Sequence, residues 1–339
     1  MSETFNWCFI GTGKMAKTAA RQMAFTRSKS HRVVAAYSRT FEHTKSFAAW
    51  FGGTPYTELK NALSDEKVNA VYIATPHTSH FEFAMECIKH GKPVLVEKPF
   101  TLNAGQAEKL VKASKENGVY VAEAMWTWFS PIAMQVRRWL LDGEIGQVKT
   151  INIKYAMASS RFYRAPRLFD KNLGGGALLD IGVYPVSYCY NLLGAPDKIE
   201  CIGELNDDLI DIGERITLYY NSGIVCNIRV SLTNFEGPES AVITGTKGVV
   251  TVPLFHQALR ARLISDTKRE TTRTLPTYMT EFDTVADEIR AGKTISDFVP
   301  QSASVDIMKI LDICRSQMGI VYPQELREKK AKNNAVHDT

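Results

Sequence analysis

The first 124 residues alternate short runs of Val, Ile, Ala and Phe with amphipathic stretches, and few folds accommodate that alternation. Asn6–Ile10 reads as a strand, Lys14–Phe25 as a helix, His31–Tyr37 as a strand and Phe41–Phe51 as a helix. The series continues with strands at Ala70–Thr75, Pro93–Glu97 and Val119–Glu123, interleaved with helices at His80–His90 and Asn103–Asn117. Short apolar strands separated by helices predict repeated βαβ units and a parallel sheet covered on both faces. This is the doubly wound α/β pattern.

After about Trp126 the pattern changes. A helix over Pro131–Leu141 leads into strands of period-two alternation at Lys149–Met157, Arg215–Asn221, Ile224–Leu232, Ser240–Thr246 and Val249–Leu254. Asn221-Ser222-Gly223 and Gly245-Thr246-Lys247-Gly248 supply turns of hairpin length. The spacing predicts an open, mostly antiparallel sheet, with helices near 177–193, 278–291 and 301–318 on one face. The expected organisation is therefore an α/β domain over 1–124, an α+β domain over 125–325 and a basic tail over 326–339.

Composition narrows the class. Hydrophobic residues make up 45% and charged residues 23%, as in ordinary globular chains, and 339 residues suffice for two cores. The net charge of +5 is small, and part of it sits in the tail, so nucleic acid is not an expected partner. No stretch approaches the roughly 20 apolar residues that span a bilayer. The start, MSETFNWCFIG, runs directly into a strand, and a cytoplasmic location is expected. The six cysteines are far apart and form no C-x-x-C pair, so neither a disulfide framework nor a metal site is expected.

Gly11-Thr12-Gly13-Lys14-Met15-Ala16 follows the first strand and opens the first helix, fitting G-x-G-x-x-A. Gly11 permits the tight turn, Gly13 lets backbone approach a pyrophosphate, and Ala16 keeps helix and sheet close. The helix N-terminus presents free N–H groups to the anion. The expected cofactor contacts on this turn are Gly11, Thr12, Gly13, Lys14 and Met15. The second strand ends in Tyr37-Ser38-Arg39-Thr40, with no acid before Glu42. Hydroxyl and guanidinium at Ser38 and Arg39 suit a 2′-phosphate and point to NADP. Arg39 stacked on adenine would also allow NAD, and a plain surface arginine would look the same.

Two further strand ends are polar. Thr75, Pro76, His77 and His80 follow one, and Glu97 and Lys98 close the next. Ligands of open α/β sheets bind beyond such ends, so all six are cofactor-site candidates. Lys98 there would favour a developing alkoxide; a structural Glu–Lys ion pair is the alternative. His77 and His80 lack neighbours that would complete a metal site.

In the second domain, three glycines precede Ala177-Leu178-Leu179-Asp180-Ile181-Gly182-Val183-Tyr184. Asp180 and Tyr184 are four apart and share one face of a helix. A phenol titrates near about pH 10, so it needs a cation such as Lys98 to exchange protons at neutral pH. Tyr184 is then the candidate proton donor and acceptor, with Asp180 orienting it. A core tyrosine beside a capping aspartate is the competing reading.

Taken in order, GTGKMA, SRT, TPHTSH, EKP, EAMW, GGGALLDIGVYP and GTKG resemble the Gfo/Idh/MocA oxidoreductases, and most of all their dihydrodiol and NADP-dependent xylose dehydrogenase branch. The resemblance implies a Rossmann domain and a second domain whose open sheet mediates homodimerisation. It implies Lys98 as catalytic lysine, Asp180 near the substrate and Tyr184 as proton donor. Trp126 would line the substrate pocket, and among Arg161, Arg164 and Arg167 the last is the substrate-binding candidate. The implied substrate is a sugar, inositol, other polyol or cyclic diol. A catalytically silent dinucleotide sensor would keep Gly11, Gly13 and Arg39 without needing Lys98, Asp180 and Tyr184. A family hydrolase using NAD transiently is a further alternative.

Overall fold

The computed structural model describes residues 4–25, 30–157, 166–234 and 237–327. The chain divides into two compact units: Met1–Phe129 with Thr277–Val305, and Ser130–Pro276 with Asp306–Thr339.

The first unit holds a six-stranded parallel sheet. In chain order its elements are β1 (Phe5–Ile10), α1 (Lys14–Phe25), β2 (His31–Tyr37), α2 (Phe41–Phe51), β3 (Thr54–Tyr56) and α3 (Leu59–Leu63). They continue as β4 (Ala70–Ile73), α4 (His80–Lys89), β5 (Val94–Glu97), α5 (Ala104–Asn117) and β6 (Val121–Ala124). The spatial order β3-β2-β1-β4-β5-β6 reverses between β1 and β4, creating the crevice in which ligands of such sheets bind. β4, β5 and β6 are buried along their whole length, which is why they read as continuous apolar runs. β3 escapes the sequence reading because it is three residues long and carries Pro55 at the sheet edge.

Thr277–Val305 is assigned by sequence to the second domain, yet it belongs to the first unit. Its helix α8 (Met279–Arg290) inserts Met279, Phe282, Val285 and Ala286 into the core formed by Trp7, Phe9, Tyr72 and Leu95. The Phe282 ring meets Trp7 and Tyr72 edge-on at centroid distances of 5.0 and 5.1 Å. A polar chain adds to this packing. Trp7 Nε1 donates to His31 Nδ1 at 3.1 Å, leaving Nε2–H to donate to Asp283 at 2.8 Å.

The second unit holds an eight-stranded sheet in the order β14-β13-β12-β11-β7-β10-β9-β8. Its elements are α6 (Pro131–Leu141), β7 (Val148–Ala156), α7 (Val183–Leu193), β8 (Lys198–Leu205), β9 (Asp211–Tyr219) and β10 (Val225–Ser231). The sheet closes with β11 (Ser240–Gly245), β12 (Gly248–Pro253), β13 (Arg260–Ser265) and β14 (Arg269–Arg273). Among the described residues β7 and β10 pair in parallel, and the other neighbours in this sheet are antiparallel. α7 packs on β7 and β10, and α6 on β13 and β14. The expected helix near 177–193 instead opens with a π-helical turn at Leu178–Gly182 and becomes α-helical at Val183. A final helix, α9 (Gln301–Met318), starts in the first unit and continues in the second.

All six cysteines are buried free thiols. Among the described residues no helix is long and apolar enough to cross a membrane. Residues 328–339, most of the basic tail, lie outside the described residues.

Phe282→Ala is expected to destabilise the first unit by roughly 3–5 kcal/mol, the usual cost of truncating a fully buried aromatic. Urea unfolding followed by tryptophan fluorescence checks it. A change under about 1 kcal/mol would detach α8 from this core.

Candidate active site

The carboxyl ends of β1, β2 and β4 frame a groove of about 300 Å³ in the first unit. Gly11 forms its floor at φ +98°, and a Cβ there would lie 2.4 Å from the carbonyl oxygen of Ala74, so only glycine fits. A Cβ at Gly13 would meet no protein atom within 4 Å. Packing therefore does not demand that glycine, whereas close approach of a ligand to the backbone does. The N–H groups that begin α1 face the same turn and suit a pyrophosphate.

At the end of β2, Ser38 Oγ donates to the carbonyl of Thr40 at 2.9 Å and bonds Thr44 Oγ1 at 2.8 Å, fixing the entry to α2. Arg39 is exposed and has no hydrogen-bond or ion-pair partner among the described residues. Thr40 and His43, which begin α2, line the same end of the groove, and no carboxylate is among the residues lining it. Guanidinium, hydroxyls and a helix N-terminus fit a dianionic 2′-phosphate. They offer no carboxylate to accept from a bare ribose hydroxyl pair.

The turns after β4 and β5 are joined by His80, which is fully buried. One ring nitrogen lies 3.0 Å from the Thr75 carbonyl and the other 2.9 Å from the Pro99 carbonyl. Glu97 accepts the Tyr72 hydroxyl through Oε1 and the Lys98 backbone N–H at 3.2 Å through Oε2. Lys98 is half-buried beside these groups, and its bond to Pro99 is cis. Behind it, Glu123 accepts the Phe100 N–H at 3.0 Å and the Ser304 hydroxyl at 2.7 Å. Burial pushes the Glu123 carboxyl up to about 7; those two hydrogen bonds and Lys98 oppose the rise, while Glu97 adds to it. The Glu281 carboxyl is buried with no hydrogen-bond partner among the described residues and is raised well above the carboxylate range, first by burial and then by Glu97.

The groove thus gathers Gly11, Thr12, Gly13, Ser38, Arg39, Thr75 and Pro76. Lys14, Met15, His77, His80, Glu97 and Lys98 do not line it. His77 is buried, with its ring 5.8 Å from that of His80. Trp126 is buried against Tyr278 at a centroid distance of 4.5 Å. Sequence reasoning missed Thr40, His43 and Phe83. Only the helix start after Ser38-Arg39 could have flagged the first two.

In the second unit the glycine run is built against a buried acid. Gly176 lies at φ +119°, where a Cβ would fall 2.1 Å from Asp211 Oδ1. Asp211 Oδ2 accepts the Leu178 N–H at 2.6 Å, and the Tyr322 hydroxyl donates to the Gly175 carbonyl at 2.8 Å. The π turn that follows carries Asp180, buried, whose Oδ1 receives Arg167 Nη2 at 2.7 Å. Arg167 keeps 46% of its side chain exposed. Tyr184 is buried in the first turn of α7, with its ring 6.1 Å from Tyr155 and 5.7 Å from His256. Arg161 and Arg164 lie outside the described residues. No group of three His, Cys, Asp or Glu able to hold a metal occurs among the described residues.

A parallel sheet with a phosphate-binding turn after its first strand, followed by a mostly antiparallel sheet, defines a dinucleotide-binding protein of two units. Residues 5–125 match the oxidoreductase family with an NAD-binding Rossmann fold, and residues 133–251 match the GFO/IDH/MocA C-terminal domain. The chain is 30% identical to scyllo-inositol 2-dehydrogenase (NADP(+)) IolU of Bacillus subtilis, over 86% of this chain and 91% of that one. It is 28% identical to trans-1,2-dihydrobenzene-1,2-diol dehydrogenase of Mus musculus, covering 95% and 99%. Its fold matches KijD10, a 3-ketoreductase from Actinomadura kijaniata solved with NADP and TDP-benzene, at TM-score 0.81 and 22% identity, covering 93% and 98%. This chain belongs to the Gfo/Idh/MocA oxidoreductase family.

The raised Glu123 carboxyl has a consequence for stability. The native state binds more protons than the unfolded chain between the ordinary carboxyl value of 4.5 and about 7. Stability therefore falls as pH rises through that window, by on the order of 3 kcal/mol at most from this group. Glu123→Gln is expected to lose that part of the decline. Melting temperatures of both proteins between pH 5 and 7.5 test it, and parallel pH profiles would refute the assignment.

Proposed function

We propose that the protein is an NADP(H)-preferring oxidoreductase that interconverts a hydroxyl-bearing carbon and a carbonyl on a sugar, inositol or cyclic diol. The observation that carries the cofactor choice is the groove at the end of β2, lined by Ser38, Arg39, Thr40 and His43 and by no carboxylate. The dehydrogenases named above, which act on an inositol and a dihydrodiol, support the substrate range.

A bound nicotinamide supplies hydride in reduction and accepts it in oxidation. The protein's own groups handle the proton and the charge. Tyr184 gives its phenolic proton to the carbonyl oxygen in reduction and takes the hydroxyl proton in oxidation. Lys98 contributes positive charge, which favours both the phenolate and the developing alkoxide. Asp180, anchored by Arg167, orients the substrate hydroxyl, and Trp126 supplies an apolar wall. Gly11, Thr12 and Gly13 hold the pyrophosphate together with the backbone N–H groups of Lys14 and Met15 that begin α1, and Thr75 and Pro76 form the bed of the dinucleotide, which His77, His80 and Glu97 support from behind the groove. The reading includes a homodimer formed through the open face of the eight-stranded sheet, which exposes Asn152, Lys154, Asn227 and Arg229.

Tyr184→Phe is expected to keep NADP binding while turnover falls by roughly 10²-fold or more, the usual loss for a removed general acid. Absorbance at 340 nm with D-xylose, scyllo-inositol and trans-1,2-dihydrobenzene-1,2-diol measures it, and near-normal turnover removes Tyr184 from the reaction. Arg39→Ala is expected to weaken NADP binding by about tenfold or more, the worth of a charge-assisted contact, with NAD little affected. Equal losses for both cofactors, read by fluorescence titration, would sink the 2′-phosphate assignment.

A further inference from the structure

The Tyr184 ring has a polar neighbour that the proposed reaction does not use. His256 follows β12 in a short helical turn, and Glu239 immediately precedes β11, so the two stand together at the open end of one hairpin. Glu239 grips that end three times. Its backbone carbonyl accepts the Leu254 N–H at 2.9 Å, and its Oε1 accepts the His256 N–H at 2.9 Å. Both carboxylate oxygens lie 2.7 Å from His256 Nδ1.

The side chains are 7% exposed for Glu239 and 16% for His256, so this is a built, largely dry pair. Leu254, which turns the chain into it, sits at φ +49°, a left-handed conformation that costs a non-glycine residue free energy. The strained turn and the carboxylate together aim one imidazole. Its ring stacks on Tyr155 at 4.5 Å and 24°, and lies 5.7 Å from Tyr184.

A carboxylate on Nδ1 fixes that nitrogen as the N–H donor, and Nε2 is the ring's second hydrogen-bonding atom. Beside the Tyr184 ring the protein therefore sets aromatic faces together with a hydrogen-bonding group held in place by a carboxylate. An arene dihydrodiol carries two hydroxyls, one on the reacting carbon and one next to it. Tyr184, and Asp180 with Arg167, provide for those two. A third polar group one ring's width away serves a substrate with more hydroxyls, while the aromatic faces accept the C–H face of a sugar or inositol ring.

We infer that the Glu239–His256 pair is a specificity-determining element that reads an additional hydroxyl and selects polyhydroxylated rings over arene dihydrodiols. The inference rests on the reading of Tyr184 as proton donor.

The test compares wild type with His256→Phe, which keeps an aromatic ring on Tyr155, and with Glu239→Gln, which keeps an acceptor for Nδ1–H but removes the carboxylate. Substrates are D-xylose, scyllo-inositol and trans-1,2-dihydrobenzene-1,2-diol, each with NADP, and melting temperature reports folding. The expected result is a rise in KM of about 10- to 100-fold for the two polyols with His256→Phe, as a site built to bond a hydroxyl loses that bond. Glu239→Gln should show a smaller rise, kcat should change little, and the diol should change by less than about threefold.

Equal effects on all three substrates, no effect on any, or a wild type that turns over only the diol would overturn the inference. A wild type that turns over none of them would defeat the proposed function instead. Calorimetric titration of scyllo-inositol and D-xylose into NADP-saturated protein then decides the inference separately. Binding by wild type that is lost in His256→Phe supports it, and absence of polyol binding by wild type ends it. If His256→Phe fails to fold, the same comparison is made with Glu239→Gln, where unchanged KM ratios refute the assignment.

Discussion

The geometry of the first unit's site depends on a buried imidazole that holds two loops at once. The turns after β4 and β5 leave adjacent parallel strands and would otherwise expose backbone carbonyls inside the protein, at a cost of about 1–3 kcal/mol each. His80 bonds the carbonyls of Thr75 and Pro99 and so satisfies one from each turn. Thr75 borders the cofactor groove, and Pro99 follows Lys98 directly. One side chain that lines no part of the groove therefore sets the spacing between the wall of the groove and the lysine-bearing strand end.

Buried acids do comparable work around this clamp. Glu97 holds the Lys98 backbone N–H, and Glu123 holds that of Phe100, so carboxyls brace the Lys98–Phe100 turn on both sides. In the second unit Asp211 occupies the space that a side chain at Gly176 would need, and accepts the N–H that begins the π turn carrying Asp180. The carboxyl of neighbouring Glu214 is buried and raised well above the carboxylate range by burial and then by Asp211. Acids that stay protonated cost less to bury than charged ones. That allows Glu123 and Glu281 in the first unit, and Glu214 in the second, to be buried without a matching cation each.

What the sequence made legible follows from how local each signal is. The strand-turn-helix at Gly11–Ala16 and the Ser38-Arg39 strand end are contiguous, and the groove gathers them together with Thr75 and Pro76. Strands such as β7 and β11 announced themselves by period-two alternation. β8, β13 and β14 escape the sequence reading: β8 and β14 lie at the two edges of the eight-stranded sheet and bury little, and β13 interleaves its two buried residues with arginines. Thr277–Val305 was misplaced because an amphipathic helix shows that it needs a core but not which one. Asp211, Glu123 and Ser304 were invisible for a related reason. Their partners lie 23 to 181 residues away, and no local pattern distinguishes a buried carboxylate from an exposed one.

The end of the β11–β12 hairpin shows how a long-range feature becomes specific. Glu239 and His256 are 17 residues apart, yet antiparallel pairing of Ser240 with Pro253 brings their backbones together before any side chain is chosen. Register alone would allow many residues at these two positions. A left-handed Leu254 and a carboxylate bonded to both the backbone and the ring of His256 go beyond what closing a hairpin requires. Strain and a buried polar pair both oppose folding unless something offsets them. The stacking of His256 on Tyr155 and its closeness to Tyr184 place that cost beside the phenol on which the proposed chemistry depends, where a fixed hydrogen-bonding edge has a use.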